Sequence, residues 1–234
     1  MIMNKAYRFI KTRDAVMRGI FLFCAVFSIL ALSCICVFLF VNGIPFIGKI
    51  GFTNFFGTKW HLQDEAYGIL SMIVTSLYVT ALSTVIGVTI GLFTAVGLYK
   101  FCPKKIVASI RQMINLLAGI PSVIYGLFGM IIIVPFLRDN ISPTGVGYGI
   151  LAASLVLAVM ILPTIVSVSL DALNAVPKSY YEGALALGAS DEQSVFKIIL
   201  PAAKSGILAG VVLSIGRAIG ETMAVIMVIG GSPV

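Results

Sequence analysis

Long runs of apolar residues dominate this chain and set the pattern of predicted elements. Runs without a single charge occupy residues 19–41, 67–99, 112–137 and 147–170, and a fifth run, at 205–231, is interrupted only by Arg217 and Glu221. About 20 apolar residues are enough for a helix to cross the hydrocarbon core of a bilayer. The pattern therefore predicts an all-α integral membrane protein, a polytopic bundle with five spanning helices.

Composition agrees with this interpretation. Hydrophobic residues make up 59% of the chain and charged residues 11%, with a mean hydropathy of +1.09. Soluble domains carry about 25% charged residues, so a soluble fold is excluded.

Basic residues alternate between the segments that connect the runs, and this alternation predicts the orientation. One side receives residues 1–18, the loop at 100–111 and the loop at 171–204, which contain Lys5, Arg8, Lys11, Arg13, Arg18, Lys100, Lys104, Lys105, Arg111, Lys178, Lys197 and Lys204. The other side receives only Lys49, Lys59 and Arg138. By the positive-inside rule the N-terminus is cytoplasmic and residues 42–66 form an external loop. The bias accounts for the net charge of +7, so no nucleic-acid partner is predicted.

Candidate enzyme and metal motifs are incomplete. Residues 43–50, GIPFIGKI, approach a phosphate-binding loop, but Ile50 replaces the hydroxyl residue that would bind magnesium. His61 is the single histidine, and Asp64 and Glu65 beside it do not complete a metal or catalytic set. The sequence therefore predicts no catalytic residues, no metal and no cofactor.

The loop at 171–204 is predicted to form two helices joined by a sharp turn. Pro177 suits a first helical position and Gly188 suits a left-handed C-cap. Ser190 and Gln193 have the spacing of a capping box, and Pro201 is expected to end the second helix. Helical spacing predicts that an apolar face on each helix packs against the other, with Tyr180, Ala184 and Leu187 facing Val195, Ile198 and Ile199.

The same loop carries a recognisable motif. It resembles the E-A-A-x3-G-x9-I-x-L-P motif of ATP-binding-cassette importer permeases at Glu182, Gly183, Ala184, Gly188, Ile198, Leu200 and Pro201. The one departure is Gly183, where the family usually has alanine, at a cost of about 1 kcal/mol or less in helix propensity. The resemblance implies a MetI-like (type I) permease fold. It also implies that this loop couples to a separate ATPase subunit, so that the chain hydrolyses no ATP itself. A plain amphipathic re-entry loop is the alternative.

Further stretches resemble the PstC type of phosphate-transport permease. They are GRAIGETMAVIMVIGGSP at 216–233, AGIPSVIYGLFGM at 118–130, and FFGTKW at 55–60 followed by YGIL at 67–70. The resemblance implies phosphate as substrate and a location in a bacterial or archaeal inner membrane. The implied partners are a second permease (PstA-like), two ATP-binding subunits (PstB-like) and an external phosphate-binding protein (PstS-like). That family normally continues with one more span, so the final helix is expected to be absent here.

Two rival functions are also compatible with the sequence. One is a permease with the same architecture for another oxyanion, such as sulfate or molybdate. The other is a membrane scaffold or sensor that binds an ATPase-like partner and translocates nothing.

The substrate pathway is predicted at the two charges of the fifth run. An ionisable side chain at the bilayer centre costs about 2.5–3.5 kcal/mol or more, so Arg217 and Glu221 are candidates for function. Four residues apart, they would share one helical face, with Thr222 beside them. Glu221 either neutralises Arg217 until an anion arrives or forms a purely structural ion pair with it. Pro121 and Ser122 are weaker candidates, because proline-broken helices often line transport sites.

Small residues are expected to bring the fifth helix close to its neighbours. Gly206, Gly210 and Ser214 form one ridge, and Gly216 and Gly220 form a second. Such ridges allow close helix packing in membranes.

Overall fold

A computed structural model describes residues 2–58, 60–61, 66–142 and 145–230. Asp64 and Glu65, considered above beside His61, lie outside the described residues, as does residue 231 at the end of the predicted fifth span. The backbone forms two compact units, residues 1–70 and 71–234.

The first unit is dominated by one long helix. Helix α1 spans Ile2–Ile50 and continues through Pro45, and its stretch Val16–Ile50 is long and apolar enough to cross a membrane. The sequence placed the end of this span at residue 41, and the helix instead continues nine residues further, to Ile50. A short helix α2 (Phe52–Phe55) and a minimal antiparallel hairpin, β1 (Trp60–His61) and β2 (Ala66–Tyr67), follow.

Aromatic rings cluster at this hairpin. The ring of Tyr67 lies 5.8 Å from that of Trp60, its cross-strand partner, and 5.6 Å from that of Phe46 in α1. Offset and edge-to-face ring pairs at such distances are favourable, so the hairpin is fixed to the end of α1 by aromatic contacts.

Helices are the only regular elements in the described part of the second unit. Its helices are α3 (Leu70–Lys100), α4 (Lys104–Ala118), α5 (Ser122–Phe128), α6 (Val134–Asn140), α7 (Ile150–Ala175), α8 (Lys178–Ala186), α9 (Asp191–Ser194), α10 (Leu200–Ala202), α11 (Lys204–Ile219) and α12 (Met223–Ile229). Together with α1 this confirms the predicted all-α class, to which the two-residue strands of the first unit are a minor addition.

Helices that could span a membrane agree only partly with the five apolar runs. In the described residues four qualify by length and composition: Val16–Ile50, Leu70–Lys100, Ser122–Asn140 and Ile150–Ala175. A fifth is obtained only if Asp191–Ala202 and Lys204–Ile219, which meet at an angle of 65°, count as one broken span.

Two of the predicted spans are broken. The run at 112–137 is divided at Gly119–Pro121, because proline has no N–H and glycine is a poor helix former. The run at 205–231 is divided at Gly220–Thr222. The break near Pro121 agrees with the proline-broken helix considered from the sequence, whereas the prediction of a continuous helix through Arg217 and Glu221 was wrong.

Helix α7 lies at the centre of the second unit. Met160, Ile161 and Ile165 are fully buried there. Glycines bring α3 and α11 against it: a Cβ on Gly87 would lie 2.8 Å from Ile161 Cδ1, and one on Gly206 would lie 2.6 Å from Ala172 Cβ. The first small-residue ridge is therefore used for packing within the chain, as predicted. Gly216 of the second ridge has open space around it.

Two helical stretches widen into π-helix. In Gly129–Ile133 the closing bond runs from the Val134 N–H to the Gly129 carbonyl, and in Val195–Ile199 from the Leu200 N–H to the Val195 carbonyl. A proline follows each closing residue by one position, at 135 and 201. In an α-helix a proline ring collides with the carbonyl four residues earlier, and the wider turn moves that carbonyl away.

Candidate functional site

The loop at 171–204 forms a helical hairpin, which comprises residues 178–202. Helix α8 ends in a turn with Gly188 at φ +83°, and the Ala189 N–H donates to the Ala184 carbonyl at 3.1 Å. At the start of α9, the Gln193 N–H donates to Ser190 Oγ at 3.2 Å and the Ser190 N–H donates to Gln193 Oε1 at 3.1 Å. The predicted left-handed cap and capping box are both confirmed.

Both prolines of the hairpin differ from the prediction by small shifts. Pro177 is the N-cap of α8, not its first helical residue. Pro201 lies inside the last turn, and the helix continues to Ala202. The π-turn before Pro201 explains why the helix does not end at the proline, since that turn accommodates the ring.

The packing face of the hairpin is partly different from the predicted one. Val195, Ile199 and Ala184 are buried, as expected. Tyr180 is 53% exposed and Leu187 is 91% exposed, so neither belongs to the face that packs against the second helix. Ile198 is also exposed, unlike its neighbour Ile199.

The motif residues occupy the accessible surface of the hairpin for the most part. Glu182, Gly183, Gly188, Ile198 and Pro201 are exposed. Leu200 is half-buried, while Ala184 is buried. A Cβ on Gly183 would meet nothing within 4 Å. The alanine usual in the motif would therefore fit, and the glycine here costs only helix propensity.

An apolar crevice of about 290 Å³ lies at the base of the hairpin. It is lined by Ala172, Val176, Pro177, Tyr180 and Gly206, among others. Arg217 does not line it, so the crevice belongs to the hairpin and not to the predicted substrate pathway.

Arg217 and Glu221 lie on opposite sides of a break in the helix. Arg217 is in the last turn of α11, and the chain leaves the helix at Gly220. Glu221 turns towards α12, where its Oε1 accepts a hydrogen bond from the Ala224 N–H at 3.1 Å. The break has a local cause, because glycine disfavours the helix and a side-chain carboxylate that bonds a nearby backbone N–H competes with it.

The two charges do not form an ion pair in this structure. Among the described residues, no carboxylate oxygen lies within 4.0 Å of the Arg217 guanidinium. The prediction that both side chains share one helical face was wrong, because the helix ends between them. Glu221 instead caps α12, which leaves the half-buried Arg217 without an acidic partner in the described part of the chain.

A second helix break lies beside the first. Helix α5 packs against α12, since a Cβ on Gly126 would lie 2.9 Å from Ala224 Cα. Tyr125 donates from its hydroxyl to the Leu117 carbonyl at 2.8 Å, across the break between α4 and α5. The same tyrosine lies in one buried cluster with Ala218, which follows Arg217, and with Ala224 of α12. The two breaks and the cation therefore form one region.

The remaining predicted pathway residues flank these breaks. Pro121 is the exposed N-cap of α5, and Ser122 is its first residue and half-buried. Thr222 is the exposed N-cap of α12. No group of three or more His, Cys, Asp or Glu side chains that could hold a metal occurs among the described residues.

Two polar contacts were not predicted. Arg111 of α4 forms an ion pair with Asp171 of α7. Lys100, Tyr181 and Asp191 form a network between the end of α3 and the hairpin. From the sequence Lys100 contributed only to the count of cytoplasmic charges, since its partners lie 81 and 91 residues later and no local pattern links them.

The chain is similar in sequence to known membrane transport proteins. Residues 87–234 match the family described as "Binding-protein-dependent transport system inner membrane component". The chain is 39% identical over 216 residues to the probable ABC transporter permease protein YqgH of Bacillus subtilis (strain 168), covering 90% of this chain and 70% of that protein. It is 31% identical to the phosphate transport system permease protein PstC of Mesorhizobium japonicum, covering 94% and 72%.

A solved structure shares the fold. The MetNI methionine ABC transporter in an inward-facing conformation matches with a TM-score of 0.56 and 26% identity, covering 65% of this chain and 70% of that one. The predicted MetI-like class and the resemblance to PstC-type permeases are confirmed. The chain belongs to the family of inner-membrane components of binding-protein-dependent transport systems, as a multi-pass permease subunit of an ATP-binding-cassette importer.

Proposed function

We propose that this chain translocates inorganic phosphate, with Arg217 as the group that meets the anion. The observation that carries the proposal is a half-buried arginine at a helix break, with no carboxylate within 4.0 Å of its guanidinium among the described residues. Arginine stays charged at every relevant pH and presents a planar fork of donors that matches phosphate oxygens. A cation buried in a membrane without an acidic partner favours an anionic ligand.

Glu221 supports this role indirectly. Its carboxylate bonds the Ala224 N–H, so it stabilises the start of α12 and leaves the Arg217 donors available. In this arrangement the Glu221 carboxylate neither neutralises Arg217 nor forms a permanent ion pair with it, so neither interpretation of Glu221 made from the sequence is supported. Thr222, Pro121 and Ser122 flank the breaks and complete the proposed pathway.

Phosphate as the substrate is also supported by the relatives. Several proteins with 31–38% identity to this chain are phosphate transport system permeases. The probable permease YqgH carries no substrate in its name, and the MetNI structure is that of a methionine transporter. Sulfate or molybdate therefore remains the rival substrate that the experiment must exclude.

The hairpin is proposed to dock on an ATP-binding subunit. Members of the family work with ATP-binding subunits and a binding protein. We propose PstB-like subunits on the hairpin, a PstA-like second permease, and a PstS-like protein that delivers phosphate externally. This assembly places the N-terminus, the loop at 100–111 and the hairpin in the cytoplasm, and ATP hydrolysis in the partner subunits. Closure of the ATPase pair would then move the hairpin and switch access to the pathway.

Uptake of radiolabelled phosphate tests the proposal. Proteoliposomes would contain this chain with its partner permease, ATP-binding subunit and binding protein, and excess sulfate would be the competitor. We expect ATP-dependent phosphate uptake that sulfate leaves unchanged, and a loss of at least about tenfold in Arg217→Lys, because lysine lacks the bidentate fork. Uptake abolished by sulfate would identify the rival substrate. An ATP-binding subunit that binds without any uptake would favour the scaffold.

A matched control variant distinguishes a specific role of Arg217 from a general effect of replacing an arginine with lysine. Arg138→Lys makes the same substitution at an exposed arginine that is paired with Asp139. We expect this variant to transport at the wild-type rate. If Arg217→Lys also transports normally at normal expression, contact between Arg217 and the substrate is refuted.

A further inference from the structure

The hairpin is tied to the third helix by three side chains from distant parts of the sequence. Lys100 is the last residue of α3, Tyr181 lies in α8 and Asp191 is the first residue of α9. Lys100 Nζ donates to the Tyr181 hydroxyl, which donates to Asp191 Oδ1. Lys100 Nζ also lies 3.3 Å from Asp191 Oδ2 and 4.5 Å from the centre of the Tyr181 ring. We call this group the Lys100 latch.

Apolar packing lies directly beneath the latch. Ala95 and Leu98 of α3 form one buried cluster with Val195 and Ile199 of the hairpin and Leu173 of α7. Hydrophobic burial of this kind stabilises the contact strongly, but it does not depend on the relative orientation of the two surfaces. Two apolar surfaces can slide or rotate against each other while they stay buried, so this cluster alone does not fix the angle of the hairpin.

The polar contacts of the latch, by contrast, constrain the orientation of the hairpin relative to α3. Hydrogen bonds to charged groups are short, strong and angle-dependent, and a cation over an aromatic face adds to them. In the described residues, every polar side-chain contact between α3 and the hairpin passes through Lys100. The hydroxyl of Tyr181 is the central atom, since it both accepts from Lys100 and donates to Asp191.

We propose that the Lys100 latch is a positioning device that transmits motion of the hairpin to α3 and so couples ATP hydrolysis to transport. The inference rests on the proposed docking of the hairpin on an ATP-binding subunit. Force applied to α8 and α9 would reach α3 through the latch. It would then reach α7, where Gly87 and Gly91 of α3 lie against Ile161 and Ile165. A packed, connected path of this kind is a physical route for coupling.

The test measures phosphate transported per ATP hydrolysed in proteoliposomes that contain the complete transporter. Tyr181→Phe keeps the ring beside Lys100 and removes only the hydroxyl that links the other two residues. We expect this variant to retain the ATP-binding subunit and to hydrolyse ATP. We expect its transport per ATP to fall by about fivefold or more, the lower end of typical coupling effects.

Tyr78→Phe in α3 is the matched control, because it removes a tyrosine hydroxyl that lies outside both the latch and the hairpin. Tyr78 is 63% exposed, and its hydroxyl has no hydrogen-bond partner among the described residues. We expect its transport per ATP to equal that of the wild type. The double variant Lys100→Asp/Asp191→Lys should recover transport per ATP relative to Asp191→Lys alone, since the tyrosine can still bridge the exchanged charges.

Two results would overturn the inference. One is an unchanged transport ratio in Tyr181→Phe. The other is a parallel loss of the ATP-binding subunit, ATP hydrolysis and uptake in that variant, which would make the latch merely structural. Failure of the wild-type chain to bind the ATP-binding subunit or to import phosphate would instead refute the proposed function, so the wild-type arm distinguishes the two failures.

Discussion

Replacing Gly126 with alanine should separate the two broken helices beside Arg217. A Cβ at this position would lie 2.8 Å from Met227 Sδ and 2.9 Å from Ala224 Cα. The methionine side chain is flexible and can move, but Ala224 Cα is backbone and its residue is fully buried. The backbone of α5 or α12 must therefore shift by about 0.5 Å to reach an ordinary contact distance of 3.4 Å.

The expected cost follows from two opposing effects. Overpacking of this kind destabilises by about 1–3 kcal/mol. Alanine is a better helix former than glycine, so this change by itself stabilises the helix by up to about 1 kcal/mol. Gly97→Ala in α3 is the matched control, because a Cβ there would meet nothing within 4 Å and only the helix term applies. Gly126→Ala should thus be about 1–3 kcal/mol less stable than Gly97→Ala.

Unfolding in detergent, titrated with a denaturing surfactant and followed by circular dichroism, measures this difference. A gap of about 1.4 kcal/mol corresponds to a tenfold change in the unfolding equilibrium. Phosphate uptake by Gly126→Ala should also fall while the ATP-binding subunit stays bound, since the hairpin is untouched. Equal stability of the two variants, together with wild-type uptake, would refute the close approach of α5 and α12 and the single region built on it.

Two further substitutions test the hairpin and the core. Ser190→Ala removes the side-chain acceptor of the capping box and should destabilise the hairpin by about 0.5–2 kcal/mol. This loss should be measurable as reduced co-purification of the ATP-binding subunit. Ile161→Ala opens a cavity at a fully buried position of α7 and should cost about 2–5 kcal/mol in the same unfolding assay. Leu208→Ala, at a position of α11 that is 60% exposed, should change stability by about 0.5 kcal/mol or less.

Local signals in the sequence predicted the hairpin well. Each of two features, the capping box of Ser190 and Gln193 and the left-handed turn at Gly188, depends only on residues that lie close together in the sequence. The chemistry that defines them is local, so spacing alone is sufficient to find them. Four of the five apolar runs likewise predicted helices of spanning length among the described residues, because hydropathy needs no knowledge of the neighbours.

The helix breaks could not be located in the same way. Pro121 gave a warning within the third run, but Gly220 and Glu221 stand in a sequence that still reads as continuous helix. What decides the break is the Glu221 carboxylate on the Ala224 N–H and the packing of α5 against α12. The Lys100 latch could not be predicted from the sequence for the same reason, since it joins residues that only the fold brings together.

The π-turns before Pro135 and Pro201 have a consequence for comparing related chains. A wide turn contains one residue more than the α-helical turn it replaces, and one residue corresponds to a rotation of about 100° around the helix. A relative without proline at either position could therefore lack one residue there and still present the same faces. A one-residue gap in an alignment at 129–133 or 195–199 would then mark an exchange of helical form within a continuous helix.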